Sequence, residues 1–385
     1  MFKRIQIKNF LSCQDIVLDN LAGMTALIGR NGSGKTNILK AIGWIAHLMI
    51  SPQSLKTSRE ENTEIDLWLE LDNTHYHYEL KIWPNSTQNF LNEKLVVQIA
   101  ADKWQTLFHR QQNTIKVEND TDEIKVGSAI PSLSALIALL PQESTLRKPI
   151  SSIVNFFQTV RYYPLDEKQL TAEVATLFTH SNYLNWLNNN ENQLEVNSSV
   201  VMRLLHLFLE KPDEFEELKN LIGSKGIAII EDITVETIRL SEKNDDKSDV
   251  FYRILFQPSL SHDSEKFNYQ NLSFGIRRLL QILVSIIHDK SAVLLLEQPE
   301  DGIHIGLLHK MIPLLKSYSE QGQFILASHS AEVLNRLEPQ EIRLVTMENG
   351  ITYLRSLDKT EIATAQQFIR EQGSLSDFIE TIQED

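Results

Sequence analysis

Eight consecutive residues, Gly29-Arg30-Asn31-Gly32-Ser33-Gly34-Lys35-Thr36, have the types and spacing of a phosphate cradle. Their small side chains let successive backbone N–H groups from Asn31 to Thr36 turn inward around an anion, and the positive end of a following helix adds to that field. The Lys35 ammonium can reach β- and γ-phosphates, and the Thr36 hydroxyl can ligate Mg²⁺. A carboxylate elsewhere would complete such a metal site, and Glu297 has that character, closing the apolar run Ala292-Val293-Leu294-Leu295-Leu296. The next residue should orient and deprotonate an attacking water. It is Gln298, whose amide orients water but has no basic site. The bland readings are an ordinary glycine-rich turn for the first segment and a buried strand with a polar end for the second.

Two further groups carry charge or titrate. Leu272-Ser273-Phe274-Gly275 opens a helical pattern with Arg277 and Arg278 in its first turns. Ser273, the Gly275 N–H and an arginine at a helix start make a second anion site; a simple N-cap with snorkelling arginines is the other reading. Cations oppose the dipole at that end of a helix, so an external phosphate would give them a reason. Ser328-His329-Ser330 follows the apolar Gln323 to Ala327, which puts His329 at the edge of a parallel sheet where ligands bind.

The elements that must hold these groups are legible from periodicity. Thr25 to Ile28 is apolar and short, as a buried parallel strand is, and Asn37 to Met49 has helical composition. Strand, glycine-rich loop and helix is the context the loop requires. Apolar residues alternate at Ile5 and Ile7 and again over 64–83, a hairpin turning at Asp72-Asn73. Residues 84–130 are polar and hairpin-like, Leu133–Leu140 and Ile150–Phe157 helical, and Thr159–Tyr163 a strand ended by Pro164. Residues 167–222 are mostly helical, with Pro212 restarting a helix, and Ile233–Leu240 pairs with Val250–Phe256 across the charged Glu242–Asp249. Helix, strand, helix, strand then alternate over Phe274–Ile287, Ala292–Leu296, Gly306–Ser317 and Gln323–Ser328, the mark of a parallel sheet with crossovers. The expected fold class is therefore α/β, its two ends forming one domain around an inserted middle. The expected divisions are 1–83, carrying the loop; 84–270, β-hairpins and a helical lobe; 271–347, carrying the later motifs; and 348–385, a strand and helices.

Composition bounds the partners. The chain has 385 residues, 42% hydrophobic and 23% charged, which excludes collagen-like and largely disordered chains. A formal charge of −14 argues against an indiscriminate nucleic-acid coat but leaves room for a local basic groove. The single cysteine, Cys13, excludes an internal disulfide and a cysteine-rich zinc site. The first residues carry charge where a signal peptide needs an apolar stretch, and no apolar run spans a bilayer, so a cytoplasmic protein without a membrane partner is expected.

Taken together, Ile5-x-Ile7-x-Asn9-Phe10, the loop of Gly29 to Thr36, Leu272 to Gly275, Glu297-Gln298-Pro299-Glu300 and His329 resemble the ABC-type ATPase head of the SMC, RecF and OLD group. The likeness covers 1–83 and 271–347 well and the middle loosely, and is similar in outline to ATPases of the anti-phage systems Septu, PARIS and Gabija. It implies an ABC-type P-loop NTPase head with a β-rich N-terminal lobe and an inserted, mainly helical middle. ATP and Mg²⁺ are the implied cofactors. Arg30, Asn31, Gly32, Ser33, Gly34, Lys35 and Thr36 would hold the nucleotide, and Thr36 and Glu297 the metal. Ser273, Gly275 and Arg278 would contact the nucleotide of a second copy. Gln298 and His329 would face the reacting phosphate, with Asp301 to His304 as the D-loop. An ATP-dependent homodimer is implied, or a higher oligomer.

Two departures matter. Gln298 replaces the family's catalytic glutamate, which implies slow hydrolysis; natural divergence and the exchange used to trap bound ATP are both open readings. Only 56 residues follow His329, too few for the nuclease domain that OLD proteins carry there, so an effector nuclease or toxin would be a separate chain. Gln53 and Gln158 are candidates for the family's Q-loop glutamine. The implied function is an ATPase that regulates an effector or senses DNA in anti-phage defence. A non-hydrolysing ATP-bound scaffold is the alternative, and an ABC transporter motor a weaker one.

Overall fold

The computed structural model describes residues 1–50, 62–84, 89–118, 123–128, 130–164, 176–190, 200–239, 250–258, 266–371 and 373–384. Alternating apolar side chains build its largest sheet. The strands are β1 (Phe2–Phe10), β2 (Cys13–Leu18), β4 (Thr63–Leu71), β5 (Thr74–Pro84), β6 (Asn89–Ala100), β7 (Lys103–Gln111), β8 (Thr114–Val117) and β9 (Glu123–Lys125), with β3 (Met24–Ile28) leaving for a second sheet. Their order is β2-β1-β4-β5-β6-β7-β8-β9, and the pairs are antiparallel. One face is apolar, as period-two alternation requires. Ile5, Ile7, Leu67, Tyr78, Leu95 and Phe108 are buried there. The other face is a ladder of opposite charges, among them Lys81–Glu64 at 3.2 Å and Lys116–Glu123 at 2.8 Å.

The second sheet has the order β10-β14-β15-β3-β16-β17, with β10 (Val160–Tyr163), β14 (Val293–Glu297), β15 (Gln323–Ser328), β16 (Ile342–Glu348) and β17 (Ile351–Ser356). Strands β14, β15, β3 and β16 run parallel. All five residues of β3 are buried, as strands covered on both faces must be. Helix α1 (Lys35–Ile50) follows β3 and packs Ile38, Leu39, Ile42 and Ile45 into the core shared by the two sheets. Helices α2 (Ser132–Leu139) and α3 (Arg147–Gln158) close the same core, with Phe156 and Phe157 against Phe2.

These elements belong to one compact unit, Met1–Tyr162, Ala292–Gln298 and Ser319–Asp385, which also holds α9 (Ala331–Leu334), α10 (Lys359–Glu371) and α11 (Leu375–Glu384). The second unit, Tyr163–Ser291 and Pro299–Tyr318, contains the three-stranded sheet β11 (Phe178–Thr179), β13 (Val250–Pro258), β12 (Ile230–Arg239), in that order. Its helices are α4 (His180–Asn190), α5 (Val200–Glu210), α6 (Pro212–Ile222), α7 (Phe274–Ile287) and α8 (Ile305–Tyr318). A polar chain, buried at Arg203 and half-buried beyond it, ties it together: Arg203 to Asp289 at 2.9 Å, Asp289 to His288 at 2.7 Å, and His288 to His206 at 3.0 Å.

The units divide the chain elsewhere than at residue 83. Ile82 pairs with Leu91 and Trp83 with Phe90, so β5 to β9 extend the sheet begun by β1, and the first unit runs on to Tyr162. The helix Phe274–Ile287 groups with the middle instead. Residues 241–249 and Gln53 lie outside the described residues.

Candidate nucleotide site

The register of the parallel strands brings the motif residues to one edge. Glu297 is level with Ala327, and Ser328 with Ile28, so Gln298, His329 and Gly29 each begin where a neighbouring strand ends. That edge is where an open parallel sheet presents its loops. The loop between β3 and α1 turns with Gly34 at φ 100°, and a side chain there would collide with Thr352. Glycine alone meets both conditions. Thr352 is itself fixed, its Oγ1 2.6 Å from Ser12 Oγ and its N–H donating to the Ser12 carbonyl at 2.8 Å. Asn37 Nδ2 donates to Ser12 Oγ at 2.7 Å, so the start of α1 is held from the same point.

Lys35 is buried and curls over the loop, donating to the carbonyls of Gly29 at 2.7 Å and Arg30 at 2.9 Å. The ammonium thus stands above the cradle where an anion would replace the carbonyls. Ser33 Oγ is buried without a hydrogen-bond partner, while Arg30, Asn31 and Gly32 are exposed. A cleft of about 820 Å³ opens beside this loop, lined by Arg30, Asn31, Ser33, Met347 and Tyr353 among others.

The two residues expected to hold a metal meet across 261 positions of sequence: the Thr36 hydroxyl donates to Glu297 Oε1. Tyr162 donates its phenol to Glu297 Oε2 at 3.0 Å. Burial, with the Glu297 charge beside it, raises the phenol's pKa and keeps it a donor. A hydroxyl and a carboxylate at the foot of a phosphate loop are hard oxygen donors of the kind Mg²⁺ takes, and the orphaned Ser33 hydroxyl sits in a cradle shaped for an anion. The residues present fit an ATP–Mg²⁺ group.

Gln298 and His329 are brought together, Gln298 Nε2 lying 3.3 Å from His329 Nδ1. Gln298 has φ 45°, and its N–H donates to the Ala327 carbonyl at 2.7 Å. His329 is exposed at the same edge. Gln158 ends α3 and is exposed.

Ser273, Gly275 and Arg278 belong to the second unit. Ser273 caps α7, accepting from the Ile276 N–H at 3.4 Å, and is exposed. Gly275, the second residue of that helix, is buried. Arg278 is fully buried, donating to the Asp301 carbonyl at 2.8 Å with its guanidinium 5.8 Å from the Phe274 ring.

Sequence reasoning missed Ser12, Thr352 and Tyr162. Ser12 stands two residues after the Asn9-Phe10 opening; the other two reach the site only through strand order.

A family model described as "AAA domain, putative AbiEii toxin, Type IV TA system" matches residues 24–335. An OLD nuclease of Thermus scotoductus is 55% identical over 42 residues, which cover 11% of this chain and 8% of that protein. The match thus spans less than a tenth of the relative. Among solved structures, an Smc head bound to the C-winged helix domain of ScpA superposes with TM-score 0.52 at 12% identity, over 94% of this chain and 99% of that one. A Pyrococcus furiosus Smc head bound to the C-terminal domain of ScpA gives 0.43 at 15% identity, over 96% and 99%. With four fifths of its length matched by that model, the chain belongs to the AAA-domain family described as putative AbiEii toxin, and its fold is that of an Smc head.

Proposed function

We propose that the chain binds ATP with Mg²⁺ at Gly29–Thr36, pairs with a second copy around two nucleotides, and through that dimer controls a separate effector, a nuclease or toxin, in anti-phage defence. The observation that carries the nucleotide site is the meeting of Thr36 and Glu297 beside Lys35. The family's description as a putative toxin and the similarity to an OLD nuclease support the link to defence.

In this reading the loop amides and Lys35 would hold the β- and γ-phosphates, and Thr36 and Glu297 would hold the metal. Bound Mg²⁺ would supply charge neutralisation for the phosphate oxygens during phosphoryl transfer to water. Asn31 and His329 would stand toward the terminal phosphate. Gln298 orients the water without taking its proton, so turnover is slow. Ser273 and Gly275 offer a hydroxyl and an amide to the second copy's nucleotide, and Arg278 fixes the Asp301 backbone behind them. The absent base also supports the scaffold reading, in which bound ATP is structural.

The test is titration with a fluorescent ATP analogue. Lys35→Ala removes the ammonium over the cradle and is expected to weaken binding at least tenfold. Equal affinity in both proteins would place the nucleotide elsewhere.

A further inference from the structure

Glu297 is gripped from two sides. The Thr36 hydroxyl takes Oε1, and the Tyr162 hydroxyl takes Oε2 at 3.0 Å. Tyr162 lies on β10, the strand beside β14 in the sheet, so the phenol comes from the backbone next to the one that carries the carboxylate. On its other side it rests on α1, the helix that begins at Lys35. A Cβ on Gly43 would stand 3.0 Å from the Tyr162 Cβ and 3.2 Å from its Cγ, tighter than nearly all real contacts. Gly43 thus makes the gap through which the ring passes on its way to Glu297. Helix, neighbouring strand and carboxylate fix the phenol's position together.

A carboxylate that orders a hydrated metal must present one oxygen in one direction. Left alone, the Glu297 side chain rotates about its terminal bond and offers either oxygen. With Oε2 held by a phenol, Oε1 is the oxygen left facing Thr36, the other residue of the metal-binding pair. We propose that Tyr162 is a positioning residue for Mg²⁺: it locks Glu297 so that Oε1 is presented to the metal beside Thr36. The proposal rests on the reading of this edge as an ATP–Mg²⁺ site. Partners that orient a metal-binding side chain typically contribute 10–100-fold to metal affinity.

The experiment uses Mn²⁺ in place of Mg²⁺, because free and bound Mn²⁺ are distinguished by electron paramagnetic resonance. Tyr162→Phe deletes one oxygen and keeps the ring in the Gly43 gap. In EDTA, its affinity for ATP is expected to match the parent, because the phenol's hydrogen bond goes to Glu297. Its affinity for Mn²⁺ in the ATP-loaded state is expected to fall about tenfold. In a Glu297→Ala background, Tyr162→Phe is expected to change nothing further, since the carboxylate it acts through is gone. Equal Mn²⁺ affinity in parent and Tyr162→Phe would overturn the proposal, as would an undiminished effect in the Glu297→Ala background. Should Tyr162→Phe fail to fold, Gly43→Ala decides in its place: the added methyl pushes the ring off Glu297, and unchanged Mn²⁺ affinity would count equally against the assignment. Failure of the parent to bind ATP at all would overturn the underlying site reading instead.

Discussion

At Gln298 the backbone stands at φ 45°, a left-handed conformation that costs a glutamine about 1–3 kcal/mol and tends to persist where a fold over-determines it. The N–H to Ala327 does that here, aiming the amide at His329. In the proposed reading this position faces the reacting phosphate, and the glutamine in it has no basic site. General-base catalysis contributes roughly 10²–10⁴-fold, so Gln298→Glu is expected to raise steady-state phosphate release within that range, with Lys35→Ala as the blank. Equal, negligible release by both would favour the scaffold. The phosphate loop was legible in the sequence because its eight residues are consecutive, and their chemistry needs no distant partner to be named. Glu297 and His329 were legible because each directly ends an apolar run. Tyr162 and Thr352 were not, since a lone tyrosine or threonine in a strand carries no spacing that announces a neighbour. Arg278, whose place near a helix start asked for an anion, donates to the Asp301 carbonyl in the fold.

The hairpin 63–84 was legible because its alternation is unbroken. The strands after it were legible only as hairpin-like, and the register explains why: β6 and β7 slip against each other between Leu95 and Val96 and again between Gln98 and Ala100. Each bulge shifts the apolar face by one residue and erases the period-two signal. What holds this irregular region is a buried ion pair. Glu93 and Arg110, both without exposed side-chain surface, lie 3.0 Å apart. Glu93 also accepts from Tyr78 and from the N–H and hydroxyl of Ser132 at the start of α2. Arg110 spends its remaining donors on the carbonyls of Gln112, Gly127, Ser128 and Ile130. Strands β6 and β7, the turn after β9 and the first turn of α2 are thus joined at one point. Removing one partner of such a pair leaves the other charge buried, so Glu93→Gln is expected to destabilise the fold by about 3–5 kcal/mol. A urea transition at the parent's midpoint would show instead that the region tolerates the loose charge.

For the molecule as a whole, the proposed pairing assigns Ser273 and Gly275 to the nucleotide of a second copy. Ser273 is exposed at the start of α7 and caps its own helix weakly, at 3.4 Å. Ser273→Arg puts bulk and charge at that exposed point. It is expected to leave ATP affinity unchanged and to abolish the ATP-driven rise in mass seen by light scattering. A variant that associates with ATP as its parent does would sink the two-copy reading. The strand order of the parallel sheet also has a consequence in time. Ile28, the last residue before the phosphate loop, has Ser328 on one side and Leu344 on the other. A ribosome adding about 5–20 residues per second therefore completes the loop roughly 15–60 s before the strands that flank it. Throughout that interval β3 is a bare apolar ribbon with no sheet to enter, and nucleotide has no finished pocket in which to act as a folding ligand. On the proposed reading, nucleotide can stabilise the chain only once both flanking strands have been made.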